Sequence, residues 1–260
     1  MTMSRTPCVS ELNTMFRSFS AALTFLTIFR VPFAGPVTSR AELVAGVACF
    51  PLSGLVLGLI YYGVAMVLNG RVPSLLLSVL IVSLSALLTR GLHFDGLADF
   101  ADGIWGGSTP ERRLEIMKDS RSGAFGVLAL IMGVFFKIAS IDALVSAGYL
   151  LPLVLAPVFS RFALAAMTYG GKHARNDGLG KLFMEDLKIE HLAVATVFTV
   201  LIAFPAGLKA LLYFVPVLGC VILFKFISKK YLGGITGDVL GALNEVSEIV
   251  VLAIGACVLH

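Results

Sequence analysis

The chain has 260 residues, of which 58% are apolar and only 14% are Asp, Glu, Lys or Arg, and its mean hydropathy is +0.94. Soluble domains are about half apolar and about a quarter charged, so this composition excludes an ordinary soluble globule and a disordered chain and predicts a polytopic helical membrane protein. The formal net charge of +4 is too small to indicate a nucleic-acid-binding surface.

The N-terminal extension, residues 1–40, contains one amphipathic stretch. Phe16, Phe19, Leu23 and Leu26 recur at helical spacing, and polar residues occupy another side. This pattern is typical of a helix that lies in the membrane interface. We therefore expect an N-terminal interfacial helix before the first membrane span.

Seven apolar segments follow, and the length of each is close to that of a helix that crosses a bilayer, roughly 17 to 25 residues. They occupy residues 44–68, 73–89, 125–143, 149–169, 190–207, 208–225 and 238–259. Sixteen of the twenty Lys and Arg residues lie before the first segment or in every second connection after it, which places them on one side of the membrane. The positive-inside rule then places the N-terminus in the cytoplasm. The predicted fold is all-α, a single polytopic membrane bundle over residues 1–260 with about seven transmembrane helices.

An acidic motif follows the second apolar segment. The sequence GLHFDGLADFADG places Asp95, Asp99 and Asp102 at positions i, i+4 and i+7, which share one face of a helix. Three adjacent carboxylates repel one another unless a cation neutralises them, and oxygen ligands suit Mg²⁺, which shares its coordination sphere with substrate phosphates. A solvated acidic helix end is the alternative interpretation.

A second polar helix is predicted from Pro110 to a stop at Gly123, with Ser108 or Thr109 as its cap. It would carry two carboxylates and two cations beside the acidic face, namely Glu115, Asp119, Lys118 and Arg121. A diphosphate needs this combination because its charge must be both neutralised and positioned. An ordinary surface helix of mixed charge would show the same pattern.

Ionisable residues also occur inside the predicted spans. An unpaired cation is costly in apolar surroundings, so Lys137 and Arg161 are expected to face the bundle interior and meet an anion. The last span carries three acidic residues on one face, Asp238, Glu245 and Glu248, and these carboxylates are expected to line a polar cavity open to the cytoplasm. The alternative is that these groups pair with one another, or with Asp142, as part of the structure.

Taken together, the motifs resemble the cobalamin synthase family. The resemblance rests on GLHFDGLADFADG, ERRLEIMKDSRSGAFG, the pair Ser160 and Arg161, ARNDGLG and GGITGDVLGALNEVSE, and it covers nearly the whole chain. It implies a multi-pass transferase of the bacterial cytoplasmic (inner) membrane that joins adenosylcobinamide-GDP to α-ribazole or its 5′-phosphate, releases GMP and requires Mg²⁺. The implied partners are these substrates and the lipid bilayer, with no nucleic acid, and a homo-oligomer is left open.

The aligned carboxylates and this resemblance together predict a catalytic segment, residues 90–124, that faces the cytoplasm. The expected metal ligands are Asp95, Asp99, Asp102, Glu115 and Asp119. The expected catalytic residues are Asp95, Asp99, Asp102 and His93. The expected substrate-binding residues are Lys118, Arg121, Lys137, Arg161, Arg175, Glu245 and Glu248. One free carboxylate, or His93, would accept the proton of the ribazole 5′-hydroxyl.

Two other functions fit part of the pattern. A phosphotransferase that acts on CDP-activated lipids also uses spaced aspartates, but its Gly-x-x-Ala-Arg signature is missing because Ala98 is followed by Asp99. An ion-coupled transporter would explain the charges inside the spans. The sequence, however, shows no clear internal repeat of the kind that many transporters carry.

Overall fold

The computed structural model describes residues 7–31, 40–119, 121–174, 184 and 186–259, with side chains from residue 14 onward. Within these ranges the chain forms helices and no strand, which confirms the predicted all-α membrane bundle. The helices are α1 (Pro7–Leu26), α2 (Arg40–Ala48), α3 (Phe50–Leu68), α4 (Ser74–Leu88), α5 (Leu92–Gly106), α6 (Pro110–Ile116), α7 (Ala124–Ser146), α8 (Leu151–Thr168), α9 (Ile189–Ala203), a 3₁₀ turn (Phe204–Lys209), α10 (Ala210–Leu232) and α11 (Gly237–Cys257).

Five helical stretches in the described part of the chain are long and apolar enough to cross a bilayer. They are α3, α7, α8, α11 and the stretch Ile189–Leu232, and a sixth is added if α4 and α5, which meet at 89°, form one broken span. The stretch Ile189–Leu232 is itself interrupted at Gly207, whose φ of 57° and ψ of −141° are not helical. Seven crossings follow only if α4 and both halves of that stretch each span the membrane, so this number and the cytoplasmic N-terminus stay predictions.

Helix α8 forms the centre of the bundle, and almost all of its side chains are buried. Helix α3 packs against it through two glycines. A Cβ atom at Gly54 would overlap the carbonyl group of Pro157, and one at Gly58 would lie 2.7 Å from the carbonyl oxygen of Val154. Glycine is therefore required at both positions for the two backbones to approach this closely.

The end of α6 differs from the prediction. Thr109 caps this helix as predicted, because its side chain accepts a hydrogen bond from the backbone N–H of Arg112. The helix ends at Ile116, however, and Gly123 serves as the N-cap of α7. Asp119 supplies a reason, since its carboxylate accepts a hydrogen bond from the backbone N–H of Arg121 at 3.1 Å. Such local bonds compete with helix formation.

The polar connections after α4, α8 and α10 meet at one end of the bundle. The backbone N–H of Ala174 donates to the carbonyl of Ile235 at 3.0 Å, and that of Ile235 donates to the carbonyl of Lys172 at 2.8 Å. The guanidinium of Arg113 on α6 lies 5.1 Å from the centroid of the Tyr231 ring on α10. These contacts gather the polar segments around the acidic helix α5.

Candidate active site

Helix α5 packs against α11 at a crossing of two glycines. A Cβ atom at Gly96 would lie 3.0 Å from the Cα atom of Gly241 and 3.2 Å from that of Asp238. This approach brings the start of α11 beside the turn of α5 that carries Asp95 and Asp99. Asp238 is therefore a further carboxylate near the acidic face, and its sequence signal is its place in the first turn of α11, after the N-cap Thr236.

The three aspartates of α5 differ in their surroundings. Asp95 is exposed, Asp99 is half-buried, and Asp102 is buried with 7% of its surface exposed. The predicted common face of the helix is present, but its C-terminal part is covered by α6 and the start of α7. Only the first two carboxylates therefore remain at the accessible part of that face.

Asp102 is bound by backbone groups of another helix. The N–H of Gly123 donates to its Oδ2 atom at 2.7 Å, and the N–H of Gly126 donates to its Oδ1 atom at 2.9 Å. The first backbone N–H groups of a helix have no partner within the helix, and a carboxylate there is also stabilised by the helix dipole. Asp102 thus caps α7 from the neighbouring helix α5.

The other two predicted metal ligands are held by arginines. Glu115 pairs with Arg112 at 2.7 Å, and Asp119 pairs with Arg121 at 2.7 Å. The hydrogen bond from the side chain of Arg121 lowers the pKa of Asp119 from 3.8 to about 2. Asp119 is therefore an anion bound to a cation throughout the physiological pH range.

These pairs surround a cavity of about 310 Å³ between α5, α6 and the start of α7. Its polar lining consists of Asp102, Arg112, Glu115, Asp119 and Arg121. Lys118, the other predicted cation of this segment, is exposed next to it in sequence. The cavity places two guanidinium groups at one end of the acidic helix, where they are available to an anionic ligand.

The predicted cage of five carboxylates is not assembled in this structure. No three His, Cys, Asp or Glu side chains among the described residues come close enough to hold a metal ion. The reason is that Asp102, Glu115 and Asp119 are bound to other groups. Asp95 and Asp99, one helical turn apart, still fit a Mg²⁺ site that takes one or two protein carboxylates and completes its shell with water and substrate phosphates. The Mg²⁺ requirement itself stays a prediction.

Four charged side chains form a cluster inside the bundle, which we call the buried ion cluster: Lys137, Arg161, Glu245 and Glu248. The Nζ atom of Lys137 lies 2.6 Å from Glu245 Oε2 and 2.7 Å from Glu248 Oε2, and Arg161 forms an ion pair with Glu248. None of the four residues has more than 5% of its surface exposed. The structure therefore confirms the pairing alternative, and the expected cavity open to the cytoplasm is wrong.

The buried ion cluster connects α7, α8 and α11. Two cations balance two anions, so the cost of removing each charge from water is met by its partners. The Nζ atom of Lys137 also lies 5.0 Å from the centroid of the Phe94 ring on α5. Because these groups are enclosed and paired, the structure gives them a role in holding four helices together, and their predicted contact with substrate stays untested.

Two further residues were predicted for the site, His93 and Arg175. His93 is buried, with 3% of its surface exposed. Its Nε2 atom has no hydrogen-bond partner among the described residues. His93 thus points into the bundle, because two residues along a helix turn the side chain by about 200° from Asp95. Arg175 lies outside the described residues.

Comparison with known proteins identifies the family. The family model described as cobalamin-5-phosphate synthase matches residues 18–256. The chain belongs to the cobalamin-5-phosphate synthase family. It is 51% identical over 249 residues to the adenosylcobinamide-GDP ribazoletransferase of Syntrophobacter fumaroxidans, and the match covers 94% of this chain and 99% of that protein.

Other members of the cobalamin-5-phosphate synthase family match over similar lengths. The adenosylcobinamide-GDP ribazoletransferase of Geotalea daltonii is 37% identical, with 92% of this chain and 96% of that protein covered. The protein of the same name from Pseudomonas paraeruginosa is 38% identical, with 91% and 96% covered. No solved structure gives a significant match. Membership in this family makes the chain a membrane transferase of cobalamin biosynthesis and sets aside the transporter and the CDP-lipid phosphotransferase.

Proposed function

We propose that this chain transfers the cobinamide-phosphate moiety of adenosylcobinamide-GDP to α-ribazole or α-ribazole 5′-phosphate. The products are adenosylcobalamin, or its 5′-phosphate, and GMP. The observation that carries the proposal is the 51% identity to a protein named adenosylcobinamide-GDP ribazoletransferase, over 94% of this chain. The alternation of Lys and Arg residues along the sequence supports a site on the cytoplasmic side of the inner membrane.

Asp95 and Asp99 are the residues that would hold Mg²⁺ together with the diphosphate of the nucleotide-activated substrate. Bound Mg²⁺ neutralises charge on the diphosphate oxygens and on the leaving phosphate. Support comes from the accessible position of both carboxylates on one face of α5, beside Asp238 at the start of α11. Carboxylate oxygens are also the ligand type that Mg²⁺ prefers.

The cavity next to α5 would receive the diphosphate. Arg112 and Arg121 line it, and Lys118 lies in the same segment. Both arginines are exposed and bound to carboxylates, so an incoming diphosphate would replace one anionic partner with another. Arginine suits this exchange because its planar fork binds phosphate oxygens in pairs.

The reaction is an in-line displacement at phosphorus. A ribose hydroxyl oxygen of the ribazole forms a bond to the phosphorus that carries cobinamide, and the bond from that phosphorus to the oxygen of GMP breaks. This hydroxyl is not the 5′ one, because the 5′ oxygen of α-ribazole 5′-phosphate already carries a phosphate. The hydroxyl proton goes to a carboxylate oxygen of Asp95 or Asp99 that is not committed to metal. His93 is a poor proton acceptor here, since it is buried on the opposite side of α5.

The test uses the protein purified in detergent. Adenosylcobinamide-GDP, Mg²⁺ and either α-ribazole or α-ribazole 5′-phosphate are added, and the release of GMP and the formation of the corrinoid product are measured together. We expect equal amounts of both, and neither product when the ribazole is omitted. A folded protein that releases no GMP with either acceptor would refute the proposal, and a reaction that survives complete chelation would refute the Mg²⁺ requirement alone.

A further inference from the structure

We propose that Asp102 is a positioning residue: by capping α7 it fixes residues 121–123, at the start of this helix, so that Arg121 faces the cavity that receives the diphosphate. This inference rests on the proposed function, because it takes Arg121 as a ligand of the diphosphate. It assigns Asp102 a role different from that of Asp95 and Asp99, although all three share one sequence motif and one helix face.

The first observation is the way in which both carboxylate oxygens of Asp102 are used. Each accepts a hydrogen bond from a different backbone N–H of the first turn of α7, those of Gly123 and Gly126, at 2.7 and 2.9 Å. The side chain is buried, so these bonds are made away from water, where a charge-assisted hydrogen bond is strong. The position of the carboxylate thus determines where α7 begins.

The second observation is that both partners of Asp102 are glycines. A Cβ atom at either Gly123 or Gly126 would collide with the carboxylate of Asp102. The φ angle of Gly123 is −88°, which any residue can adopt. Gly123 is therefore explained by the space that the carboxylate needs and not by backbone conformation. Gly126 leaves space for the carboxylate and also for the backbone oxygen of Ala98 on α5, which would lie 2.9 Å from an added Cβ atom.

The third observation links the cap to the cavity. Gly123 is two residues after Arg121, and Asp102, Gly123 and Arg121 line the same cavity. Met117, which comes before Arg121 in sequence, is buried, and its side chain fills the space beside Gly103 of α5. Residues 117–119 are thus attached to α5 by an apolar contact, and residues 121–123 are attached to it by the cap. Lys118, Asp119 and Arg121 lie between these two contacts in sequence.

The experiment breaks the cap from each side. Asp102→Asn removes the charge and one acceptor, because the amide group of Asn turns an N–H toward one of the two backbone donors. Gly126→Ala leaves the carboxylate in the chain but displaces it. We expect both variants to raise the KM for adenosylcobinamide-GDP by about 10- to 100-fold, the value of one charge-assisted hydrogen bond. The KM for α-ribazole and the Mg²⁺ concentration for half-maximal rate are expected to stay unchanged.

The double variant and a matched control complete the comparison. Asp102→Asn combined with Gly126→Ala is expected to be no worse than the worse single variant, since both remove the same interaction. Gly219→Ala on α10 is the control, because an added Cβ there meets nothing within 4 Å. A rise in the half-maximal Mg²⁺ concentration in Asp102→Asn that is absent from Gly126→Ala would show that Asp102 is a metal ligand and would overturn the proposal.

A measurement on the unaltered protein tests the cap even if the variants fail to fold. Hydrogen exchange of the backbone amides of Gly123 and Gly126, which Asp102 binds, is expected to be slow, as in the interior of α7, and insensitive to Mg²⁺ added without substrate. Fast exchange at Gly123 or Gly126 would overturn the cap. If the unaltered protein releases no GMP but shows this slow exchange, the proposed function fails while the cap stands, so the two failures are distinguishable.

Discussion

The Nζ atom of Lys137 on α7 lies 2.7 Å from the Oε2 atom of Glu248 on α11, in the interior of the bundle. Glu248 also pairs with Arg161 of α8, so Glu248→Gln leaves two buried cations with too little negative charge. We expect the free energy of unfolding to fall by about 3–5 kcal/mol, the usual cost of breaking a buried ion pair. Denaturation of the purified protein in mixed detergent micelles measures this change.

Two further variants test whether the buried ion cluster acts as a unit. Lys137→Met combined with Glu245→Gln removes one charge of each sign and is expected to cost less than the sum of the single variants. Glu190→Gln, at an exposed position on α9, is the matched control and should change stability by less than about 0.5 kcal/mol. Additive effects within the cluster would contradict its role as one neutral unit.

The accessible carboxylates of α5 are expected to be essential for transfer. Asp95→Asn and Asp99→Asn should each lower kcat/KM by at least about 10²-fold, because the lost charge acts on the transition state. The half-maximal Mg²⁺ concentration should rise in both variants. Rates of GMP release measured across a Mg²⁺ titration check both effects.

The control for these variants is Asp186→Asn, which removes an exposed carboxylate paired with Arg40 at 2.6 Å. It should retain full activity, and all three variants should be recovered from the membrane fraction in equal amounts. Normal activity in Asp99→Asn would remove that residue from the proposed site.

The pair formed by Asp119 and Arg121 predicts that the stability of the protein depends on pH in the acidic range. The pKa of Asp119 is about 2 in the folded protein and 3.8 without the pair. Since the folded pKa is depressed, the pair contributes its full stability above pH of about 4 and loses it as the pH falls toward 2. The carboxyl carbon of Asp119, followed by NMR, should titrate near 2, and in Arg121→Ala it should return toward 3.8. A carboxyl group that already titrates near 3.8 in the unaltered protein would contradict the pairing.

Two glycines on α3 give a matched test of close helix packing. Gly58→Ala places a Cβ atom 2.7 Å from a backbone oxygen of α8 and should destabilise the protein by about 1–3 kcal/mol. Gly63→Ala, on the same helix with nothing within 4 Å, should be neutral or stabilise by up to about 1 kcal/mol because alanine favours helix. Thermal denaturation in detergent compares them, and equal effects would show that α3 and α8 are further apart than the structure has them.

Much of the architecture was predictable because the membrane imposes it. A bilayer satisfies no backbone hydrogen bonds, so apolar segments of this length must be helical. The cap at Thr109 and the one-face spacing of Asp95, Asp99 and Asp102 are likewise local properties, and both are confirmed. The end of α6 differs from the prediction, because the carboxylate of Asp119 accepts a hydrogen bond from the backbone N–H of Arg121, and helical periodicity does not show such a competing local bond.

The spacing of the aspartates of α5 does not predict that Asp102 has different surroundings from Asp95 and Asp99. Helical periodicity determines which side chains share a face, but it does not determine what covers that face. Asp102 is buried only because α7 begins next to it, through two glycines that lie 21 and 24 residues further along the chain.

The composition and the motifs by themselves determined that this is an all-α membrane protein and which family it resembles, because both depend on residue type and short-range order along the chain. The tertiary structure alone decided which charges meet. Lys137 and Glu248 are 111 residues apart in sequence, and the energy of an ion pair depends on the distance and the water between its atoms, which no local pattern contains. Helix packing sets both quantities.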